Sequence, residues 1–458
     1  MFAGFSWVLG ANVVYLAISA FLTLGLPKVL SPIEFSVWQL YQLYALYLGY
    51  VTLGYSDGIN LRLSGKKSDE IDHRETKFSV TILTVLDGAV FAVLCTVLFL
   101  FAPGDKAVLF AIACGGALFY IPRTALTVLL QSLGRSRQYS LILVFERVVL
   151  AIAVLLLLVF GATDATTLVM ADVFAKLAAL GLAVWVSRDL LSAKLSDYGG
   201  LLRIFVADCR AGLSILIANF AAMAINGGVR AIIVARWGLL AFGQVSLAFQ
   251  FASLFMVAIN SIAVTMLPNL KRIAQEQYRE RYLQLRHKIQ VPLFLALVLV
   301  FPAQRVLIAW LPEYSDAASY LALLFPLYIY ESTNRGLTAV FMKALRMERE
   351  LLVATISATV VALGAGTFSA FVLDSSELTV LAVILGLAVR AALSEYFLSR
   401  RLSLNLLSLW SIETAVIAVF LFATQLHSSA VGVAVLCIAL LPYLLIVRRS
   451  GYGRYTAI

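Results

Sequence analysis

Long apolar runs separated by short polar connections occupy most of the chain. A helix that spans a bilayer needs about 20 mostly apolar residues. Fourteen segments meet this requirement, near residues 5–27, 35–56, 78–102, 107–133, 139–161, 164–187, 211–235, 241–268, 289–311, 317–343, 351–373, 378–399, 406–426 and 430–447. The pattern predicts an all-α polytopic membrane protein with about 14 transmembrane helices.

Composition supports this prediction. The 458 residues are 62% hydrophobic and 13% charged, whereas a soluble domain is about half apolar and about a quarter charged. The four cysteines form no CxxC pair and the three histidines share no metal-binding spacing, so the sequence indicates neither a metal site nor a redox site. The first apolar run reaches Leu26, which favours a membrane span over a cleavable signal.

Basic residues alternate between the connections. Of the 35 lysines and arginines, 25 fall in every second connection or the tail, 4 in the remaining connections, and 6 inside spans. Cytoplasmic loops carry an excess of such residues, so we expect both termini in the cytoplasm. The net charge of +10 then reflects topology, and no nucleic-acid partner is expected.

The two halves of the chain resemble each other. The segment Arg123–Arg137 aligns without gaps on Arg335–Arg349, and a second match near the start of each half has almost the same offset. Chance similarity between apolar helices is the alternative, but both matches include polar residues. We therefore predict two parallel six-helix lobes, 1–190 and 191–402, around a central cavity, with two additional helices in 403–458.

Charged residues interrupt the apolar runs. A charge at the centre of a span costs about 2.5–3.5 kcal/mol on insertion scales, so such groups face protein or water. The cations are Arg123, Arg147, Lys176, Arg230, Arg335 and Arg390. The acids are Asp87, Glu146, Asp172, Glu331, Glu395 and Glu413, with Asp57 at the inner end of the second span. If the six cations converge, they suit a multiply anionic ligand such as a phosphate, which arginine can bind through two parallel hydrogen bonds.

Structural pairing is the alternative role for these charges. Asp172 precedes Lys176 by four residues, and Glu331 precedes Arg335 by four, so each pair shares a helix face. Arg123 and Arg230 have no acidic residue three or four positions away. We therefore expect these two arginines to be the cations without a neutralising carboxylate.

Aromatic residues recur every third position in the second span. They are Trp38, Tyr41, Tyr44, Tyr47 and Tyr50. Buried tyrosine hydroxyls need partners, so one interpretation is helix packing with internal hydrogen bonds. The other is a wall on which sugars stack, with Tyr41 and Tyr44 as candidate substrate contacts.

Three short segments carry a family resemblance. Leu26–Trp38, Leu53–Gly58 and Leu129–Tyr139 are similar to the corresponding stretches of bacterial polysaccharide-transport proteins. These include the O-antigen flippases (Wzx type) of the multidrug/oligosaccharidyl-lipid/polysaccharide exporter (MOP) superfamily. The resemblance implies a multi-pass protein that moves a polyprenyl-diphosphate-linked oligosaccharide across the bacterial inner membrane by alternating access.

The resemblance implies an ion-driven cycle, and the placement of the in-span charges suggests which residues would carry it out. The six in-span cations would contact the anionic headgroup, and Arg123, Arg230 and Arg335 are the first candidates. An ion gradient of H⁺ or Na⁺ would drive the cycle, with Asp57, Asp87 and Glu331 as candidate coupling residues. No other cofactor is expected. Membrane lipids are expected partners, and contacts with other polysaccharide assembly proteins are left open.

Two other functions remain open. A multidrug antiporter of the same superfamily would share the architecture, but a cationic cavity opposes organic cations. A membrane glycosyltransferase or polymerase acting on lipid-linked sugars would need a catalytic group on an outer segment. The predicted outer connections are short and carry no acidic cluster, so we expect a carrier and not an enzyme.

Overall fold

The computed structural model describes residues 2–64, 66, 70–101, 104–161, 164–193, 198–254, 277–426 and 428–449. Within these ranges the regular structure is helical and includes no strand. Seven of the described helices are long and apolar enough to cross a membrane, and three shorter apolar helices accompany them. The prediction of an all-α multi-pass membrane protein is therefore confirmed.

Internal packing divides the chain into two units, Met1–Phe220 and Ala221–Ile458. The division falls within one long helix. The domain limits at residues 190 and 402 that the sequence suggests remain a prediction.

The first unit consists of helices that begin with α1. They are α1 (Phe2–Val29), α2 (Pro32–Leu48), α3 (Tyr55–Leu63), α4 (His73–Phe101), α5 (Asp105–Ser132), α6 (Ser136–Val159), α7 (Ala165–Val186), α8 (Arg188–Leu191) and the start of α9 (Tyr198–Leu254). Helix starts follow from local sequence: Ser31 accepts a hydrogen bond from the Glu34 amide ahead of Pro32, and Asp164 accepts one from the Thr167 amide. Helices α5, α6 and α7 pack on one another and α2 packs on α5 and α7, which brings together the charges carried by α5, α6 and α7.

The second unit continues with nine helices beyond α9 among the described residues. They are α10 (Tyr278–Leu295), α11 (Val300–Trp310), α12 (Ser315–Leu324), α13 (Leu327–Thr333), α14 (Ala339–Ala344), α15 (Glu348–Phe371), α16 (Ser376–Leu402), α17 (Leu407–Ala423) and α18 (Ser429–Arg449). A π-helical turn, Asn334–Thr338, joins α13 to α14. Helices α15 and α16 approach closely because Gly386 faces Ala358 and Ala362, as small residues allow between membrane helices.

Several predicted spans have different limits in the structure. The second span was expected at 35–56, but α2 ends at Leu48 and a turn with positive φ at Leu53 and Gly54 precedes α3. Helix α9 combines parts of two predicted spans and is interrupted by non-helical backbone at Gly238. Helix α10 begins at Tyr278, well before residue 289, because hydropathy cannot detect a polar helical extension.

Helix α3 and the first part of α9 meet backbone to backbone. A Cβ added to Gly58 would collide with the backbone of Asp208, and one added to Gly212 would collide with the backbone of Gly54. Arg62 fixes this contact, since its Nε and Nη2 donate to the two carboxylate oxygens of Asp208 at 2.7 and 2.8 Å. The segment of the family resemblance that ends at Gly58 therefore forms a close helix crossing.

The two aligned segments of the sequence repeat end in the same turn. The amide of Arg135 donates to the Leu130 carbonyl at 2.8 Å, and 212 positions later the amide of Met347 donates to the Met342 carbonyl at 2.8 Å. Such a bond closes a helix in the Schellman motif, whose next-to-last residue adopts a left-handed conformation. That residue is Gly134 in the first segment (φ 73°) and Arg346 in the second (φ 55°).

This pair of turns predicts opposite effects on stability. Only glycine adopts the left-handed conformation without a penalty of about 1 kcal/mol. Arg346→Gly should therefore raise the melting temperature of the detergent-solubilised protein, and Gly134→Ala should lower it. No heavy atom lies within 4 Å of a Cβ built on Gly134, so the expected loss comes from backbone strain alone. Equal melting temperatures for both variants would contradict this account.

Candidate functional site

Five charged residues meet inside the first unit. Arg123 on α5 pairs with Glu146 on α6, with Nη2 and Oε2 2.7 Å apart. Lys176 and Asp172 pair on α7, with Nζ and Oδ2 2.6 Å apart. Arg147, the fifth member, lies within electrostatic range of both carboxylates. We call these five residues the first cluster.

Tyrosines connect the members of the first cluster. The Tyr120 ring lies 4.8 Å from the Arg123 guanidinium and 6.0 Å from the Lys176 ammonium, so one ring contacts both ion pairs. The Tyr41 hydroxyl donates to Asp172 at 2.6 Å and accepts from Lys176 at 3.0 Å. Arg147 donates to the Tyr15 hydroxyl at 3.1 Å. Tyr41 and Tyr120 thus contact the ion pairs, and Tyr15 contacts Arg147 beside them.

The structure corrects one expectation for this cluster. Arg123 was expected to have no neutralising carboxylate, but it pairs with Glu146 on the neighbouring helix. Sequence separation along one helix could not show this contact between two helices. Glu146 and Arg147, although adjacent, have different partners, as neighbouring positions on a helix should. Within the cluster, three cations face two carboxylates, and one positive charge remains in excess.

The aromatic stripe of α2 takes part in packing. Tyr41 is fully buried with both hydrogen bonds of its hydroxyl inside the protein. Tyr44 is half-buried, and its ring packs edge-on against Phe110 at a centroid distance of 5.3 Å. These contacts favour helix packing for Tyr41. The proposed role of Tyr41 and Tyr44 in sugar binding remains a prediction.

Three charged residues meet inside the second unit. Glu331 on α13 accepts from Arg335 Nε at 2.9 Å through one oxygen and from Arg390 Nη2 at 2.8 Å through the other. We call these residues the second cluster. Two cations share one carboxylate, so this cluster also carries one positive charge in excess.

Exposure distinguishes the two arginines of the second cluster. The side chains of Glu331 and Arg390 are each 3% exposed, whereas that of Arg335 is 58% exposed. Arg335 lies on the π-helical turn Asn334–Thr338, a type of helical irregularity that is frequent at functional sites. The turn begins three residues after Glu331 and presents the Arg335 guanidinium at the surface of the unit, while Glu331 and Arg390 form a buried ion pair beneath it.

The remaining predicted residues lie apart from the contacts that define these clusters. Arg230 lies over the Phe249 ring at 5.3 Å. Asp57 is half-buried near the start of α3, and burial raises the pKa of its carboxyl above the ordinary value. Asp87 on α4 is 1% exposed, and neither of its carboxylate oxygens has a hydrogen-bond partner among the described residues. The coupling roles of Asp57, Asp87 and Glu331 stay predictions.

A third charged network was missed in the sequence. Arg286 on α10 pairs with Glu395 on α16 and with Glu413 on α17, at 3.0 and 2.8 Å. Arg286 was assigned to a polar cytoplasmic connection, but it is buried inside the unit. The signal was two acids in otherwise apolar runs, neither with a cation three or four positions away, so that an arginine from another helix was needed to neutralise them. Among the described residues, no group of three or more histidine, cysteine or acidic side chains could hold a metal ion.

Solved structures of two transporters resemble most of the chain. The lipid II flippase MurJ in an inward closed conformation matches with a TM-score of 0.65 at 11% identity, covering 96% of this chain and 99% of MurJ. An inward-facing multidrug resistance MATE family transporter of the MOP superfamily matches with a TM-score of 0.64 at 14% identity, covering 85% of this chain and 98% of that transporter. This chain has the MOP transporter fold.

A third structure with the MOP fold is a transporter from Pyrococcus furiosus. Its TM-score is 0.57 at 14% identity, with 88% of this chain and 94% of that chain covered, and it is described as having a binding pocket of reverse polarity that suggests a different function. No protein-family model and no curated protein sequence matches the chain. The MOP fold is thus shown by structure alone, and the Wzx-type resemblance remains a proposal.

Proposed function

We propose that this protein is a flippase that moves a polyprenyl-diphosphate-linked oligosaccharide across the bacterial inner membrane by alternating access. The observation that carries the proposal is the second cluster. In this cluster the exposed side chain of Arg335 pairs with Glu331, which also pairs with the buried Arg390. Both termini would lie in the cytoplasm, as the distribution of basic residues indicates.

The charge of the second cluster suits a diphosphate. The carboxylate of Glu331 already accepts from two arginines, so Arg335 keeps donors for a further anion. Guanidinium and phosphate oxygens match in geometry, and their hydrogen bonds are about twice as strong as neutral ones. The positive excess of the first cluster adds a second group that favours anions.

The fold is compatible with a lipid-linked substrate, since the MOP-fold neighbours include a lipid II flippase. The other candidate is a multidrug antiporter, which the likeness to the MATE transporter supports equally well. The sign of the charges in the first and second clusters supports the flippase, since organic cations would be repelled where cations outnumber carboxylates. We therefore place the flippase first.

Transport by the purified protein tests this choice. Proteoliposomes that contain the full chain would receive either a fluorescent polyprenyl-diphosphate oligosaccharide or ethidium, with H⁺ and Na⁺ gradients imposed in turn. We expect movement of the lipid-linked sugar between leaflets, read as loss of protection from a membrane-impermeant quencher, and no accumulation of ethidium. Ethidium transport without sugar translocation would favour the antiporter. As a cellular check, a deletion strain should retain its lipid-linked repeat units on the inner leaflet.

A further inference from the structure

A small cavity lies inside the second unit, beside the Arg286 network. Its volume is about 50 Å³, which is room for one or two particles the size of a water molecule. Residues of α10, α13, α16 and α17 line it, and its polar lining includes Gln290, Thr333, Glu395 and Glu413. Such a cavity is large enough for an ion.

The charges beside the cavity do not balance. Arg286 donates through Nε and Nη2 to Glu395 at 3.0 and 3.1 Å, and through Nη1 and Nη2 to Glu413 at 2.8 Å each. One guanidinium thus faces two carboxylates. An uncompensated negative charge in a buried position is unfavourable unless a cation or a proton neutralises it.

The two carboxylates differ in how many donors they have. Glu395 accepts four hydrogen bonds, because the Tyr282 hydroxyl and the Trp410 indole donate to it in addition to Arg286. An ionised carboxylate offers about four acceptor positions, so Glu395 is saturated. Among the residues that the structure describes, Glu413 accepts just the two bonds from Arg286, one on each oxygen. The surplus charge and the free acceptor positions therefore belong to Glu413.

Two further oxygens of the cavity wall have no partner. The Oε1 atom of Gln290 and the Oγ1 atom of Thr333 are buried and form no hydrogen bond within the described part of the chain. Both residues are almost completely buried, with exposed fractions of 4% and 3%. A buried oxygen without a partner costs free energy, and a ligand that binds oxygen removes that cost.

We propose that Glu413, Gln290 and Thr333 bind Na⁺ in this cavity. A single surplus charge matches a monovalent cation, and carboxylate, amide and hydroxyl oxygens are ligands that hard cations prefer. A proton on Glu413 would also neutralise the charge, but a water molecule would then have to satisfy the oxygens of Gln290 and Thr333, whereas one Na⁺ does both. Binding of Na⁺ does not depend on the substrate of the protein. Its use as the coupling ion rests on the proposed function.

Binding of ²²Na⁺ to the full chain in nanodiscs tests the site. Wild-type protein should bind about one ion per chain, displaced by unlabelled Na⁺ and not by choline. Even the loss of an outer-shell partner of a metal ligand typically costs about 10–100-fold in affinity, so we expect Glu413→Gln and Thr333→Val, which remove ligands, each to weaken binding at least about tenfold. The exposed acid Glu377 provides the matched control, and Glu377→Gln should bind as wild type does.

The possible outcomes test the Na⁺ site and the flippase proposal separately. Thr333→Val removes one oxygen without changing side-chain shape, so it decides the matter even if Glu413→Gln fails to purify as a monodisperse protein. Unchanged binding in Thr333→Val and Gln290→Met overturns the site, as does proton uptake by wild-type protein without ²²Na⁺ binding. Sodium binding with no translocation of the lipid-linked sugar leaves the site intact and overturns the flippase.

Discussion

Arg335→Gln is expected to reduce translocation of the lipid-linked oligosaccharide about tenfold to a hundredfold while protein levels stay normal. Hydrogen bonds to charged groups are worth about 1.5–3 kcal/mol, and each loss of about 1.4 kcal/mol weakens binding tenfold. Protein levels should hold because Arg335 is exposed, and exposed ion pairs contribute at most about 1 kcal/mol to stability. The measurement is the initial rate of translocation in proteoliposomes.

Two control variants sharpen this experiment. Arg335→Lys keeps the charge but loses the planar fork, so its rate should lie between those of wild type and Arg335→Gln. Arg305 is an exposed arginine outside the second cluster, and Arg305→Gln should leave the rate unchanged. If Arg335→Gln translocates as fast as wild type, the second cluster does not bind the headgroup and the flippase proposal loses its main support.

Glu331→Leu is expected to prevent stable folding. It leaves the guanidinium of Arg390 buried without its carboxylate, and removal of one partner of a buried ion pair costs about 3–5 kcal/mol. Such a loss is a large part of the stability of a typical protein. Thermal unfolding in detergent and the yield of monodisperse protein report the effect.

A double variant tests whether the unpaired charge of Arg390 causes the loss of stability in Glu331→Leu. Glu331→Leu combined with Arg390→Met replaces the pair by apolar residues, an exchange that is often neutral for stability. The double variant should therefore recover most of the lost melting temperature, although its transport would be reduced. Failure of the double variant to recover would mean that Glu331 stabilises the unit by other means than neutralising Arg390.

The fold was predictable because its signal is local. Each apolar run long enough to cross a bilayer indicates a helix, since a spanning segment must satisfy its own backbone hydrogen bonds. The ends of the helices were less predictable where polar residues continue a helix, as in α10, which begins at Tyr278. There, Arg286 pairs with two buried carboxylates in a segment that hydropathy assigns to a connection.

The charged contacts were also only partly predictable, because contacts within one helix follow from sequence spacing and contacts between helices do not. The pairs Asp172–Lys176 and Glu331–Arg335 follow from spacing, because residues four apart share a face of one helix. The contact between Arg123 and Glu146 joins two helices, and only their packing brings it about. Spacing alone could therefore identify candidate cations but could not determine which of them keep an excess charge.

The crossing of α3 and α9 limits how the first unit can change shape. Packed helices slide past one another when side chains between them exchange rotamers, a shear motion. Near Gly58 and Gly212 the two backbones touch with no side chain between them, and Arg62 ties its own helix to Asp208 across the contact. These two segments must therefore move together as one rigid body during transport. Any bending of the chain has to occur elsewhere.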